Sequence, residues 1–136
     1  MSDLFADIRK SIEVRLGSNW TTTAIAHDNG SYDPTPNTAF IRVIIDEVDS
    51  KQVTLGTTPC HRVIGLIHIM IMVPVGTGTA TARSYADDLT DIFRNADFSD
   101  IKCQSPRIRR VGDVGEHYQL SLLIPFYTDK ALANAT

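Results

Sequence analysis

The segment Pro-Val-Gly-Thr-Gly-Thr at positions 74–79 has the composition of a phosphate-binding loop, because two glycines follow an apolar run and precede a helical pattern. A dinucleotide-binding loop needs glycine or alanine in the third position of G-x-G-x-x-G, where this chain has Thr81. A Walker loop needs a lysine after its glycines, and none follows. We therefore interpret the segment as a strand-to-helix joint, in which Gly76 and Gly78 allow the turn and Thr77 or Thr79 caps the helix.

Other reactive side chains fail the geometric requirements of catalysis or metal binding. Cys60 and His61 are neighbours in a predicted strand, so their side chains point to opposite faces. The four histidines have no spacing typical of metal ligands. Asp87 and Asp91 lie one turn apart on a helix face that we expect to be solvated. We expect no catalytic residue, no metal and no cofactor.

One predicted strand carries a basic group, and another, together with the residue that follows it, carries an acidic group. The basic group consists of Arg107, Arg109 and Arg110. The acidic group consists of Asp46, Glu47 and Asp49. A solvated sheet edge would account for the arginines, and the alternative is contact with an acidic neighbour such as another copy of the chain. We predict the second arrangement, in which the basic group of one subunit meets the acidic group of the next.

Composition indicates one ordinary globular domain spanning residues 1–136. The chain is 43% hydrophobic and 21% charged, with a net charge of −3. Binding of nucleic acid over a whole surface needs a basic footprint, which this balance lacks. Two cysteines without a short spacing favour a reducing compartment. The N-terminus has no signal-peptide pattern, and the apolar run 63–75 is shorter than the ~20 residues that span a bilayer. We expect a soluble intracellular product without a membrane segment.

Two helices are predicted from apolar residues spaced three and four positions apart. The first covers residues 3–16 and ends at Gly17; its stripe comprises Leu4, Phe5, Ile8, Ile12 and Leu16. The second follows Thr79; its stripe comprises Ala82, Tyr85, Ala86, Leu89, Ile92 and Phe93.

Strands are predicted at 19–27, 39–48, 60–73, 101–111 and 116–127, with loops at 28–37 and 49–59 and a turn at 112–115. The strand at 60–73 is apolar on both faces, broken by Arg62 and His68, so we expect it at the centre of the sheet. We expect the helices to cover one face of this strand, and a surface outside the subunit to cover its other face. The predicted class is α+β: a mainly antiparallel sheet of about five strands with two helices packed on one face.

This layout resembles that of phage tail terminator proteins over nearly the whole chain. The sharpest marks are P-V-G-T-G-T at 74–79 before the helix and I-P-F-Y at 124–127 in the last strand. Further marks are the N-terminal helix, the segment F-I-R-V-I-I at 40–45 and the helix A-D-D-L-T-D-I-F at 86–93.

The resemblance implies a homo-oligomeric ring of six copies on the last ring of the tail tube. Such a ring ends tube polymerisation, joins the head through a head-completion or connector protein, and lets DNA cross its lumen without specific binding. The location would be the virion tail or neck after assembly in the host cytoplasm. We further expect the polar segment 49–59 to contact the tube or the connector, through Lys51, Gln52, Val53, Thr54 and Leu55.

Three other functions stay open at the level of sequence. Another neck, head–tail connector or tail completion protein would have a similar small α+β fold. A small cytosolic enzyme would need a site between subunits, for which His61, Arg62, His68 and Arg107 are the candidates. A monomeric interaction module would stay a monomer at high concentration.

Overall fold

The computed structural model describes residues 4–28, 30 and 38–131, which form two helices and seven strands. Most of the predicted loop at 28–37 lies outside the described residues. In chain order the elements are α1 (Leu4–Asn19), β1 (Ala24–His27), β2 (Phe40–Gln52), β3 (Cys60–Pro74), α2 (Ala80–Phe93), β4 (Asp97–Phe98), β5 (Ile101–Cys103), β6 (Arg107–Val114) and β7 (His117–Ala131).

The strands form one curled sheet in the order β1-β2-β3-β7-β5-β4, and β6 also pairs with β7. β3 and β7 pair along their whole length, from Cys60 opposite Ala131 to Pro74 opposite His117. β1 runs parallel to β2, whereas the other pairs are antiparallel. The α+β class is confirmed, but the sheet is mixed, and it has more strands than the mainly antiparallel sheet of about five strands that the sequence predicts.

Both helices pack on the same face of the sheet, as the apolar stripes predict. The core includes alternate residues of β3, of which Val63, Ile67, Ile69, Ile71 and Val73 are fully buried. α2 buries Ala82, Ala86, Leu89 and Phe93, while Tyr85 and Ile92 are half-buried. Each large apolar side chain contributes about 1.5–3 kcal/mol on burial. Because the helices occupy this face, the opposite face of the sheet is the one available for contacts with other molecules.

The first helix differs from its prediction at both ends. Phe5 is 53% exposed and lies off the buried stripe of Ile8, Ile12 and Leu16. Gly17 does not end the helix, because the backbone amide of Trp20 donates to the Leu16 carbonyl. Trp20 is buried edge-on against Tyr85 at 5.5 Å, which holds this last turn in place. The predicted strand at 19–27 is therefore confined to β1.

β2 is longer than predicted, because residues 49–52 belong to the strand and not to the loop. Asp49 lies opposite Ile64, and Gln52 lies opposite His61, after a bulge between Glu47 and Asp49. These polar residues keep their ladder hydrogen bonds without burying their side chains. The connecting segment is accordingly only 53–59.

The predicted strand 101–111 is two strands. The segment between β5 and β6 contains Pro106, which has no amide hydrogen to donate. Gln104 in the same segment donates its amide to the Pro125 carbonyl at 2.8 Å, so the chain stays beside β7. β6 then continues to Val114, past a bulge between Arg110 and Gly112.

Candidate assembly surface

The sheet face turned away from both helices, called the open face, is apolar at its centre. It is formed by alternate residues of β2, β3 and β7, because side chains along a strand alternate between faces. No described helix covers this face. Phe40, opposite Met72 at one end of this face, is buried against the His117 ring at 5.2 Å. The other apolar side chains of the face are half-buried or exposed, and they include Ile44, Ile64, Leu66, Met70, Met72 and Leu123. The two-faced apolar pattern of β3 is therefore satisfied on one side only within the described residues.

His68 lies in the middle of the open face, opposite Ile44 on one side and Leu123 on the other. Its Nε2 atom is buried and has no hydrogen-bond partner within the part of the chain that the structure describes. Burial lowers the pKa of this imidazole, and the nearby positive charge of Arg109 lowers it further. Both effects favour the neutral imidazole of His68 at neutral pH.

The predicted basic group lies on β6 at one side of the sheet. Arg107 is in register with Leu123 and Arg109 with Ser121, which places both on the open face. Arg110 is in register with Leu120 and belongs to the opposite face, with its guanidinium 5.9 Å from the Tyr118 ring. All three arginines are exposed. Within the described chain, β6 pairs with β7 alone, so its outer edge is open.

The predicted acidic group lies on β2 near the other side of the sheet. Asp46 is opposite Leu66 and Asp49 is opposite Ile64, which places both on the open face. Glu47 is opposite Gly65 and belongs to the helix face. Among the described residues, β1 pairs with β2 only up to Val43, so the outer edge of β2 is unpaired beyond that point. Basic and acidic groups are thus separated by β3 and β7 within one subunit.

The predicted contact residues divide between a strand and a short tip. Lys51 and Gln52 are the last residues of β2, whereas Val53, Thr54 and Leu55 begin the connection to β3. The Thr54 hydroxyl accepts a hydrogen bond from the Cys60 amide at 2.6 Å, and Val53 N donates to the Cys60 carbonyl at 2.8 Å. Leu55 is 92% exposed. The tip is therefore fixed at its base and presents an apolar side chain to solvent.

The joint between β3 and α2 turns as predicted, but its cap differs. Gly76 and Gly78 have φ values of 92° and 79°, which favour glycine. Thr79 precedes α2 without a capping hydrogen bond from its side chain. The Thr77 hydroxyl instead donates to the Pro74 carbonyl at 2.8 Å and closes the turn.

The four candidates for an enzyme site do not gather at one place: His68 and Arg107 flank Leu123 on the open face, but His61 and Arg62 lie at the far end of β3. His61 and His68 are seven positions apart on β3, about 23 Å at ~3.3 Å per residue, and they point to opposite faces. Arg62 is held by Asp129 through two hydrogen bonds of 2.8 and 2.9 Å. Among the described residues, no three His, Cys, Asp or Glu side chains are grouped as metal ligands. Burial raises the pKa of the Cys103 thiol to about 11, so it is protonated at neutral pH.

Sequence reasoning missed three exposed apolar residues beside the charged groups. Phe5 on α1, Val48 at the β2 bulge and Ile108 on β6 are 53%, 61% and 48% exposed. Phe5 adjoins Leu4 at the margin of the helical stripe, and Ile108 stands between arginines. The sequence signal that could have indicated them is a large apolar residue among charged ones, such as Ile108 between Arg107 and Arg109.

Comparison with known proteins gives a family and a fold. A family model described as phage tail terminator protein matches residues 7–122. Eleven solved chains match, and one of them superposes with a TM-score of 0.65 at 15% identity, over 98% of this chain and 99% of its own. At that identity the likeness shows a shared fold. No curated protein matches the sequence. The described residues contain no helix that is long and apolar enough to cross a membrane.

Proposed function

Because this chain belongs to the phage tail terminator family, we propose that it forms a ring, of six copies, which caps the tail tube and stops its polymerisation. The family is one of structural proteins of the phage tail, which fits a role without catalysis and a location in the virion tail. The ring also offers a surface to a head-completion or connector protein, after assembly in the host cytoplasm. DNA crosses its lumen without specific binding, since tight phosphate binding needs clustered Lys and Arg.

The main structural support for the proposed ring is that opposite charges lie on opposite sides of one sheet. A closed ring needs a head-to-tail contact, in which one patch meets a different patch on the next copy. The basic group on β6 and the acidic group on β2 are two such patches. Because β3 and β7 separate them, a subunit does not neutralise its own charges. We assign the interface to Arg107, Arg109, Arg110, Asp46, Glu47 and Asp49.

Charge reversal tests this interface. Arg109→Glu places an acid against the acidic group of the neighbour, so we expect the oligomer to be lost in native mass spectrometry, with or without tail tubes. Adding Asp46→Arg restores opposite charges and should restore the oligomer. Arg83→Glu makes the same charge change on the exposed face of α2 and should leave the oligomer intact. An intact ring in Arg109→Glu would rule out the assigned interface.

The tip between β2 and β3 is our candidate for the contact with the tube or the connector, through Lys51, Gln52, Val53, Thr54 and Leu55. Leu55 supports this, because a large apolar side chain that is 92% exposed gains from burial against a partner. Leu55→Asp should leave the ring intact and weaken its co-sedimentation with tubes. The matched variant Val14→Asp changes an exposed apolar residue on α1 and should sediment like the wild type. Equal sedimentation of all three proteins would exclude the tip.

A further inference from the structure

We propose that β6 of one copy adds as an antiparallel strand to the outer edge of β2 in the next copy, so that one sheet continues from subunit to subunit. The inference rests on the proposed ring and specifies how its copies join. The partner at each edge is a second copy of this chain. The β6 edge is basic and the β2 edge is acidic, so each edge is complementary in charge to the other edge of an identical copy. Edge addition uses backbone hydrogen bonds for affinity and side chains for register.

Among the described residues, both edges have backbone groups that pair with no other strand. Within the described chain, β6 bonds to β7 on one side and to no strand on the other. β2 bonds to β3 along its length, while β1 covers only its first residues, Phe40 to Val43. An open edge strand invites pairing with another chain unless it is blocked or matched.

The directions of the strands agree with this pairing. β2 and β3 are antiparallel, as are β3 and β7, and β7 and β6. β6 therefore runs opposite to β2. Rotation about an axis along the strands brings β6 of one copy beside β2 of the next in the antiparallel sense.

The basic residues of β6 and the acidic residues of β2 that would meet have opposite signs and lie on the same face of the sheet. Arg109 and Asp46 both belong to the open face, and they lie directly opposite when the strands are aligned on this pair. Arg107 then falls beside Asp49, because the bulge between Glu47 and Asp49 takes up one residue. Directly opposed side chains of opposite charge stabilise a strand pair.

In the same register, the neighbouring copy would bury Ile108 and Phe5, which are exposed in the single subunit. Ile108, in register with Leu122, belongs to the helix face and would lie opposite Glu47 of the neighbour. Glu47 lines a groove between α1 and β2 together with Phe5 and Ile45. Ile108 would enter this groove, which accounts for the exposure of both Ile108 and Phe5 in the single chain.

Disulfide trapping tests the register. In a Cys60→Ala background, Asp46→Cys with Arg109→Cys, or Asp49→Cys with Arg107→Cys, should give covalent multimers up to the full ring on oxidation with copper phenanthroline. The protein is used with tail tubes present, and products are separated on non-reducing gels. Glu47→Cys with Arg109→Cys is the matched control; these positions belong to opposite faces and should yield monomer.

The outcomes separate this inference from the proposed function. Multimers from either same-face pair, with monomer from the control, support strand addition. A ring in native mass spectrometry without multimers from either same-face pair overturns strand addition and leaves the ring standing. Multimers of equal yield in the control also overturn the register. Absence of any oligomer, even with tubes, overturns the ring and the strand addition together.

Discussion

Gly65 lies in the middle of β3, where neither of its neighbouring strands leaves room for a side chain. A Cβ atom at this position would lie 2.6 Å from the Asp46 carbonyl oxygen and 2.7 Å from Cζ of Phe126. The Phe126 ring is fully buried, so it has no free space into which it can move. Glycine at this position in an apolar strand is thus required by the packing of β2 and β7 against it.

Gly65→Ala is therefore expected to lower the free energy of unfolding by about 1–3 kcal/mol, the usual cost of overpacking. Gly17→Ala is the matched control. Gly17 is exposed within α1 and has nothing within 4 Å of an added Cβ, so alanine should stabilise the helix by up to ~1 kcal/mol. Urea denaturation of both variants measures the two effects. A Gly65→Ala protein as stable as the wild type would contradict this account of β3.

At the scale of elements, Arg15 joins the two helices. Its Nε and Nη2 atoms donate to the Ile92 carbonyl at 2.9 and 2.7 Å, near the C-terminus of α2. The last turn of α2 contains no basic residue of its own, so Arg15 supplies the positive charge that this helix end favours. The guanidinium also lies 4.7 Å from the centre of the Phe98 ring.

Arg15→Ala is expected to lower the free energy of unfolding by about 1.5–3 kcal/mol, the range for hydrogen bonds to a charged group. Arg9→Ala removes an exposed arginine of the same helix, paired with Glu13 one turn away, and should cost about 0.5 kcal/mol or less. Thermal or urea unfolding compares the two variants. If both variants lost the same free energy of unfolding, the hydrogen bonds from Arg15 to Ile92 would contribute no more stability than an exposed ion pair.

Elements with one strong periodicity were predictable from sequence, and elements fixed by distant partners were not. The stripe of α2 and the apolar alternation of β7 each determine a buried face locally. The length of β2 beyond Val48 depends on its pairing with β3, which polar side chains at 49–52 do not reveal. The turn after α1 depends on the burial of Trp20 against Tyr85. The parallel pairing of β1 depends likewise on contacts remote in sequence.

The charged groups were visible in the sequence, but their separation was not. Arg109 and Asp46 share a face on opposite sides of the sheet only because two strands, β3 and β7, lie between theirs. Arg110 and Glu47 belong to the face opposite that of Arg109 and Asp46, because side chains alternate along a strand, and this division is predictable from the sequence. The sequence predicts which residues are charged, and the strand order determines how far apart the two groups lie.

In the molecule as a whole, helices cover one side of the sheet, and no described helix covers the other side. The open face contains half-buried apolar residues around His68, and its two sides carry opposite charges. The proposed assembly into a ring would bury the charged sides against neighbouring copies. The exposed Leu55 lies in the connection between β2 and β3, which is the segment proposed to contact the tube or the connector.

The most direct test of the proposed function is the length of tail tubes that polymerise from purified tail tube protein with and without this protein, measured by negative-stain electron microscopy. We predict that adding it shortens the tubes and places a ring of extra density at one end. Tubes of unchanged length with bare ends would contradict the proposal that this protein caps the tail.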